Sequence, residues 1–293
     1  IFRDQYVEPV IVNGLQGFKS SVDGVNWKVN LAYKPSDEIF IYGQWAQGFR
    51  QPQVQNLLDP LDDPNGDGIV DFVDGTQRSI PPGLLDPDKV DTYEGGFKFQ
   101  SPSGNVRGSL TGYYTDWQGI PVILLTFPRR AGFYFNAGSA KVKGVEFELS
   151  GRLPGNWHAQ FSMSWSKATL GNDADSPALS GGITDAQLPR SPNHNAYAAL
   201  EKRFDIGGHE AVIRGDWTYV SSYYSNLNET GKVGDYHQFG LNAGVTIDRI
   251  KLGVFAKNLT NRDDFTWVDN LLGGGRAYRL RPRTIGVNVG FDF

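Results

Sequence analysis

The run Asp63-Pro64-Asn65-Gly66-Asp67-Gly68-Ile69-Val70-Asp71-Phe72-Val73-Asp74 carries the sharpest chemical pattern in the chain. Side-chain oxygens fall at positions one, three, five, nine and twelve of a twelve-residue frame, Gly68 holds the sixth position, where the chain must turn sharply, and Ile69 offers its backbone carbonyl at the seventh. Calcium takes 6–8 hard oxygen ligands, and this spacing can wrap them around one ion. The pattern predicts a Ca2+ cofactor held by Asp63, Asn65, Asp67, Ile69, Asp71 and Asp74. Its last position is Asp rather than Glu, a shorter arm that weakens bidentate ligation. The flanks do not read as helices, so this is a lone loop, and the bland alternative is a solvated acidic surface loop. No organic cofactor is expected.

A second set of side chains could hold a ligand. Phe133, Tyr134, Tyr223, Tyr224, Trp267, Arg276 and Tyr278 sit in stretches that read as loops. Aromatic faces with Arg suit flat or anionic cargo. They suit sugars equally, and loop packing alone explains them as well. Catalytic patterns are absent: there is no Gly-x-Ser-x-Gly, no His-Glu-x-x-His and no phosphate loop. The chain is therefore not expected to be an enzyme. With no Cys, neither a disulfide framework nor a thiolate metal site is possible. The net charge is −4 and no basic run occurs, which argues against a nucleic-acid partner.

The elements that must position these residues announce themselves by period two. Val25, Trp27, Val29, Leu31 and Tyr33 alternate with Asn26, Lys28 and Asn30; Trp157 to Trp165 and His237 to Ile247 alternate likewise, as does the end of the chain from Ile285 to Phe293. Comparable stretches occupy about 38–50, 89–100, 105–117, 139–152, 194–204, 210–221 and 250–260, which makes eleven strands. A twelfth falls within 1–19, where the pattern is weak. Strands of about 10 residues with one apolar face fit a tilted bilayer crossing better than a sandwich, whose strands average about 5–6. The connections take turns. Short turns fall at Lys34–Asp37, Ser101–Gly104, Leu153–Asn156, Asp205–Gly208 and Asp248–Arg249, and long loops at about 51–88, 118–138, 169–193, 222–234 and 261–281. An all-β, transmembrane, antiparallel up-and-down β-barrel has this rhythm. Tyr33, Trp117, Trp157, Trp165, Trp217 and Tyr219 fall near strand ends and are assigned to two interfacial girdles.

Four segments carry a family resemblance. Ile41 to Pro52 contains a Gly-Phe-Arg-x-Pro corner, Leu85 to Gly96 contains Leu-x-Pro and Tyr-Glu-x-Gly, Asn136-Ala137-Gly138 precedes Lys143-Gly144-Val145-Glu146, and Lys257-Asn258-Leu259-Thr260-Asn261-Arg262 precedes the last strand. In this order and spacing they resemble TonB-dependent outer-membrane receptors. The resemblance implies a 22-stranded barrel of which residues 1–293 supply the C-terminal 11–12 strands, the N-terminal plug and first strands lying elsewhere, with 51–88 as a long extracellular loop. It implies the outer membrane of a Gram-negative bacterium and, as partners, outer-membrane lipid, the TonB complex acting through the plug, small-molecule cargo, and the barrel-assembly machinery reading an aromatic-ended strand at Phe293. The implied function is import of a scarce bulky nutrient, foremost a ferric siderophore. A carbohydrate or cobalamin receptor of the same family, or a passive porin or secretion barrel, are the alternatives. Haem is disfavoured, because no His lies in the 51–88 loop, where haem receptors of this family are expected to carry a ligand.

Overall fold

Alternating strands of this length satisfy their backbones only by pairing side by side. The computed structural model describes residues 2–3, 23–50, 63, 67, 69–72, 75, 77–79, 85–127, 131–136, 138–171, 183, 185–269 and 275–292. Eleven strands form one sheet: β1 (Lys28–Ser36), β2 (Ile39–Phe49), β3 (Lys89–Gln100), β4 (Val106–Gln118), β5 (Ser139–Leu153), β6 (Trp157–Leu170), β7 (His194–Ile206), β8 (His209–Val220), β9 (Tyr236–Ile247), β10 (Ile250–Lys257) and β11 (Thr284–Phe291). Each pairs antiparallel with its neighbours in sequence and, among the described residues, with nothing else in the sheet. The result is an uninterrupted meander, with β1 and β11 as its two edges.

All eleven strands expected from the sequence are present. The first begins at Lys28 rather than Val25, although Gln47 N still donates to Trp27 O at 2.8 Å and carries the ladder past the strand end. The expected twelfth strand lies mostly outside the described residues; within them, Phe2–Arg3 and Asp23–Gly24 form a two-residue bridge. Phe293 also lies outside them.

Four of the five tight turns fall where expected, while the first lies at Asp37–Glu38, with Lys34–Ser36 of the expected turn still in β1. Gly207 (φ 62°) and Gly208 (φ 87°) form a two-residue connection with both residues left-handed, the geometry whose twist matches the flanking strands. Asp205 Oδ1 accepts from Gly208 N at 2.8 Å and closes that turn. In β1 the register slips between Tyr33 and Ser36, around Pro35, which has no N–H to give a ladder.

The register sorts side chains into two faces. Met163 lies opposite Phe147 and Ala196, and Phe161 opposite Leu149 and Ala198. Leu241 lies opposite Gly215 and Ala256, and Leu252 opposite Val245 and Val289. Through the middle of the strands this face is apolar, and its large side chains are exposed, Val287 at 73%. Among the described residues, nothing packs over it. The other face is polar and cross-linked. Tyr42 donates to Glu94 at 2.6 Å, while Arg214 donates to Tyr197 at 2.8 Å and Gln160 at 3.1 Å and pairs with Glu201 at 3.4 Å. Gly96 makes the first of these contacts possible: a Cβ there would stand 2.3 Å from the Tyr42 ring, which crosses the glycine to reach Glu94.

The register corrects one assignment. Trp117 shares the polar face with Thr115 and Tyr113, opposite Val90 and Ala140, so it is not a girdle residue. The long connections are also more ordered than loops: four of the five contain a β-hairpin among the described residues.

The apolar face meeting hydrocarbon sets an expected contrast between neighbours. Met163→Arg places a charge on that face and costs about 2–4 kcal/mol if mid-bilayer. Ser162→Arg, opposite Glu148 on the polar face, costs much less. Folding measured by heat-modifiable gel mobility in lipid vesicles separates them, and equal losses would refute the face assignment.

Candidate functional site

At one end of the sheet the long connections dock onto each other in two groups. In the first, Ile69–Asp71 pairs with Gln77–Ser79, and Pro121–Leu125 pairs with Gly132–Asn136. The two hairpins are joined: Phe72 bridges to Thr126, and Phe127 N donates to Asp71 O at 2.8 Å. Val70, Phe72 and Phe133 form a buried core between them, with Leu124, Ala131 and Phe135 packed against it.

The second group joins the last three long connections. Tyr223–Tyr224 pairs with Lys232–Val233, and Phe265–Asp269 pairs with Arg276–Arg279. Gly234 N donates to Phe265 O at 3.1 Å, Val268 N to Ser225 Oγ at 3.1 Å and Tyr223 Oη to Thr266 O at 2.7 Å. The third connection enters through Arg190 N, which donates to Tyr224 O at 2.8 Å, and Gln187 N, which donates to Glu229 Oε1 at 2.9 Å.

These groups sort the candidate ligand-binding residues. Phe133 is fully enclosed (0% exposed) and Tyr223 is buried, so packing accounts for both. Tyr134 and Tyr224 are half-buried. Trp267 and Tyr278 stack at 5.0 Å with 27° between their planes. The Arg190 guanidinium lies 5.5 Å from the Trp267 ring centre, Tyr278 is 66% exposed, and Arg276, opposite Asp269, is exposed two residues along the strand from Tyr278. The structure thus brings Trp267, Arg276 and Tyr278 together and sets Phe133 and Tyr134 in the other group. Arg190 was missed by the sequence reading, because only the fold carries residue 190 to residue 267.

The calcium-type run divides. Asn65 and Asp74 lie outside the described residues. Asp63 is buried; Asp67 is exposed and its Oδ1 accepts from Ile69 N at 2.8 Å; Asp71 is exposed and its Oδ1 accepts from Gln77 Nε2 at 2.9 Å. Ile69 begins the first hairpin strand. Among the described residues, no three His, Asp or Glu side chains converge as a metal site.

A polar lock fixes the base of the first group. Asp88 is 3% exposed and accepts from Arg50 Nε at 2.8 Å, Arg50 Nη2 at 2.5 Å and Trp117 Nε1 at 2.6 Å. The Arg50 guanidinium also covers the Trp117 ring at 5.1 Å. Beside it, Asn136 Nδ2 donates to Asp86 O and Gly119 O, and its Oδ1 accepts from Asp86 N. Burial alone would raise the Asp88 carboxyl, but the hydrogen bonds from Arg50 and Trp117 outweigh it and hold the carboxyl below the usual carboxylate range.

A family model described as TonB dependent receptor-like, beta-barrel, matches residues 3–259. The ferric yersiniabactin uptake receptor FyuA from Yersinia pestis superimposes with a TM-score of 0.76 at 20% identity, over 94% of this chain and 38% of that one. The siderophore receptor PiuA from Acinetobacter baumannii gives 0.68 at 19%, over 93% and 36%. BauA, the ferric preacinetobactin receptor from Acinetobacter baumannii, gives 0.68 at 17%, over 96% and 38%. At such identities the likeness establishes the fold, and the chain spans less than two fifths of these structures. No curated protein sequence matches.

Removing the shared acceptor tests the lock. Asp88→Ala leaves the Arg50 and Trp117 donors unmatched, at a local cost of about 1–3 kcal/mol, and limited proteolysis should cut sooner between residues 51 and 84. Since the folded carboxyl value is depressed, its contribution is complete above the unfolded value of about 3.9 and is lost as pH falls through the folded one. Protection of the wild-type loop should therefore persist to about pH 4 and decline below it. Unchanged protection in Asp88→Ala across this range would contradict the lock.

Proposed function

This chain belongs to the TonB-dependent receptor family of outer-membrane β-barrels, and from that premise we propose that it forms the C-terminal wall of an energised receptor that imports a ferric siderophore. The family places the chain in the outer membrane of a Gram-negative bacterium, and family and fold are those of transport receptors rather than enzymes. The apolar face is then the lipid side and the polar face lines the lumen. One observation supports the cargo class: the stack of half-buried Trp267 on exposed Tyr278, flanked by Arg190 and Arg276. An aromatic plate edged with guanidinium groups fits a flat, anionic chelate, with stacking on the rings and charge met by Arg. The similar receptors described above, two of them named for ferric cargo, agree with this reading.

In the proposed mechanism the loop cap and a plug from the rest of the receptor close on cargo. TonB pulls on the plug, and a path opens along the polar face. No bond in the cargo need be made or broken. The wall's part is to hold the mouth open and to present the binding plate.

We also propose that the 63–74 run binds calcium, on the strength of its ligand spacing and the Asp67 side-chain turn onto Ile69 N. Since the Phe72 end is fastened to the second loop, bound calcium would stiffen the first group as a whole. Extracellular calcium is millimolar, so an affinity of about 10⁻⁴–10⁻³ M suffices.

Two measurements check these readings. Trp267→Ala with Tyr278→Ala should weaken ferric siderophore binding by about 3- to 10-fold and slow growth under iron limitation. Unchanged iron uptake, with carbohydrate or cobalamin uptake lost instead, would reassign the cargo. For calcium, titration should protect residues 51–88 from protease in the wild type, and Asp67→Asn, which can keep the turn but loses the charge, should require far more calcium. Identical cleavage with and without calcium would leave only a solvated acidic loop.

A further inference from the structure

One band of the lipid face departs from its apolar pattern. Lys141 and Lys143 of β5 and Lys167 of β6 have the parity of Val145, Phe147 and Trp165, so they stand on the lipid side. Lys143 lies directly opposite Lys167, and all three lysines are exposed. Like charges facing each other across a ladder are destabilising. On the β4 side, Lys143 faces Tyr114 and Lys141 faces Asp116. Asp116 is the one carboxylate opposite any of the three. The next, Asp91, lies opposite Asp116 and keeps its charge while accepting from the neutral donors Trp45 and Gln47. Among the described residues no ion pair engages these lysines. Three amines against these two carboxylates still leave the band cationic.

Depth along the strand identifies what the band meets. Trp157 and Trp165 lie on the same face of β6, nine residues inclusive, which matches one crossing of about 9–11. Lys167 is the next residue outward on that face, and Lys143 is level with it. Interfacial rings sit at headgroup depth, so the amines stand at the outer edge of the headgroup layer, on the same side as the long connections. Directly inward run Val145, Phe147, Met163 and Phe161, an apolar strip suited to an acyl chain.

We propose that Lys141, Lys143 and Lys167 form a binding site for the phosphate-bearing headgroup of an outer-leaflet lipid. Cβ atoms of directly opposed residues are about 4.5–5.5 Å apart, so the Lys143 and Lys167 stems can converge on one phosphate. The bound anion removes the repulsion between them, and the acyl chain lies on the strip beneath. A free anion would have no use for that strip, which is why the occupant is a lipid.

The test uses the intact outer-membrane protein that contains this chain, in neutral detergent, with a diphosphorylated glycolipid as probe and native mass spectrometry as readout. Lys143→Gln with Lys167→Gln should weaken retention on the order of 30-fold, about fivefold for each basic side chain beside an anionic surface. Lys143→Arg with Lys167→Arg should retain the lipid, and heat-modifiable mobility shows that both variants are folded. Wild-type retention by the Gln variant would overturn the site. So would equal binding of the dephosphorylated glycolipid, or displacement of the lipid by millimolar inorganic phosphate.

Discussion

A backbone in hydrocarbon has no water to satisfy its amides, so each N–H and C=O within the crossing must find its partner on a neighbouring strand. Everything else in this wall follows from that requirement. It forces each strand beside the next, which makes the meander. The meander fixes the register, and the register decides which side chains face lipid. A slip of one residue in β6 would drive Ser162 and Ser164 into hydrocarbon and Phe161 and Met163 into the lumen. The same requirement bears on β1 and β11. Each leaves one side of its backbone unpaired in this sheet, and Val287 and Leu31 are among its most exposed apolar side chains. In a membrane such edges close on further strands.

The segments that carry the family resemblance turn out to be structural locks. The Gly-Phe-Arg-x-Pro corner contributes Arg50, and the Leu-x-Pro segment contributes Asp88; the two meet at Trp117. Tyr42 of the first segment reaches Glu94 of the second because Gly96 leaves room for its ring. Asn136 ties two loop bases together. Asn258, left-handed at φ 50°, donates to Arg262 O and Arg281 O and gathers both ends of the last long connection. These residues fix the bases of the long connections, while the Trp267–Tyr278 stack lies between them in sequence.

The wall was almost wholly legible in the sequence, because lipid on one face and polar lumen on the other impose period two on every strand. The loop cap was not. Its cores are built from contacts between segments far apart in the chain, such as Val70 with Phe133, and no local period reports them. For the same reason Phe133 looked like an exposed ligand contact and proved to be a core residue. Trp117 was misassigned because its strand-end position suggested a girdle, whereas only the register reveals its face. Composition and spacing named Trp267, Arg276 and Tyr278, but the stack and its Arg190 neighbour required the fold.

The tight turns have a further consequence, for how such a wall can change over generations. Each hairpin of the sheet is pinned at one end by a connection only a few residues long, with left-handed residues at Gly104, Asn156, Gly208 and Asp248. The opposite end is open to length change. An insertion there lengthens a loop at little entropic cost without moving the register, since the pin and the ladder still set the alignment. Each hairpin is thus a cassette: its crossing is held under strict physical constraint, while its outer end tolerates insertion wherever it lies clear of the docked cores. A lineage can therefore acquire a new recognition surface by recombining or extending outer segments, with the membrane-spanning wall inherited unchanged.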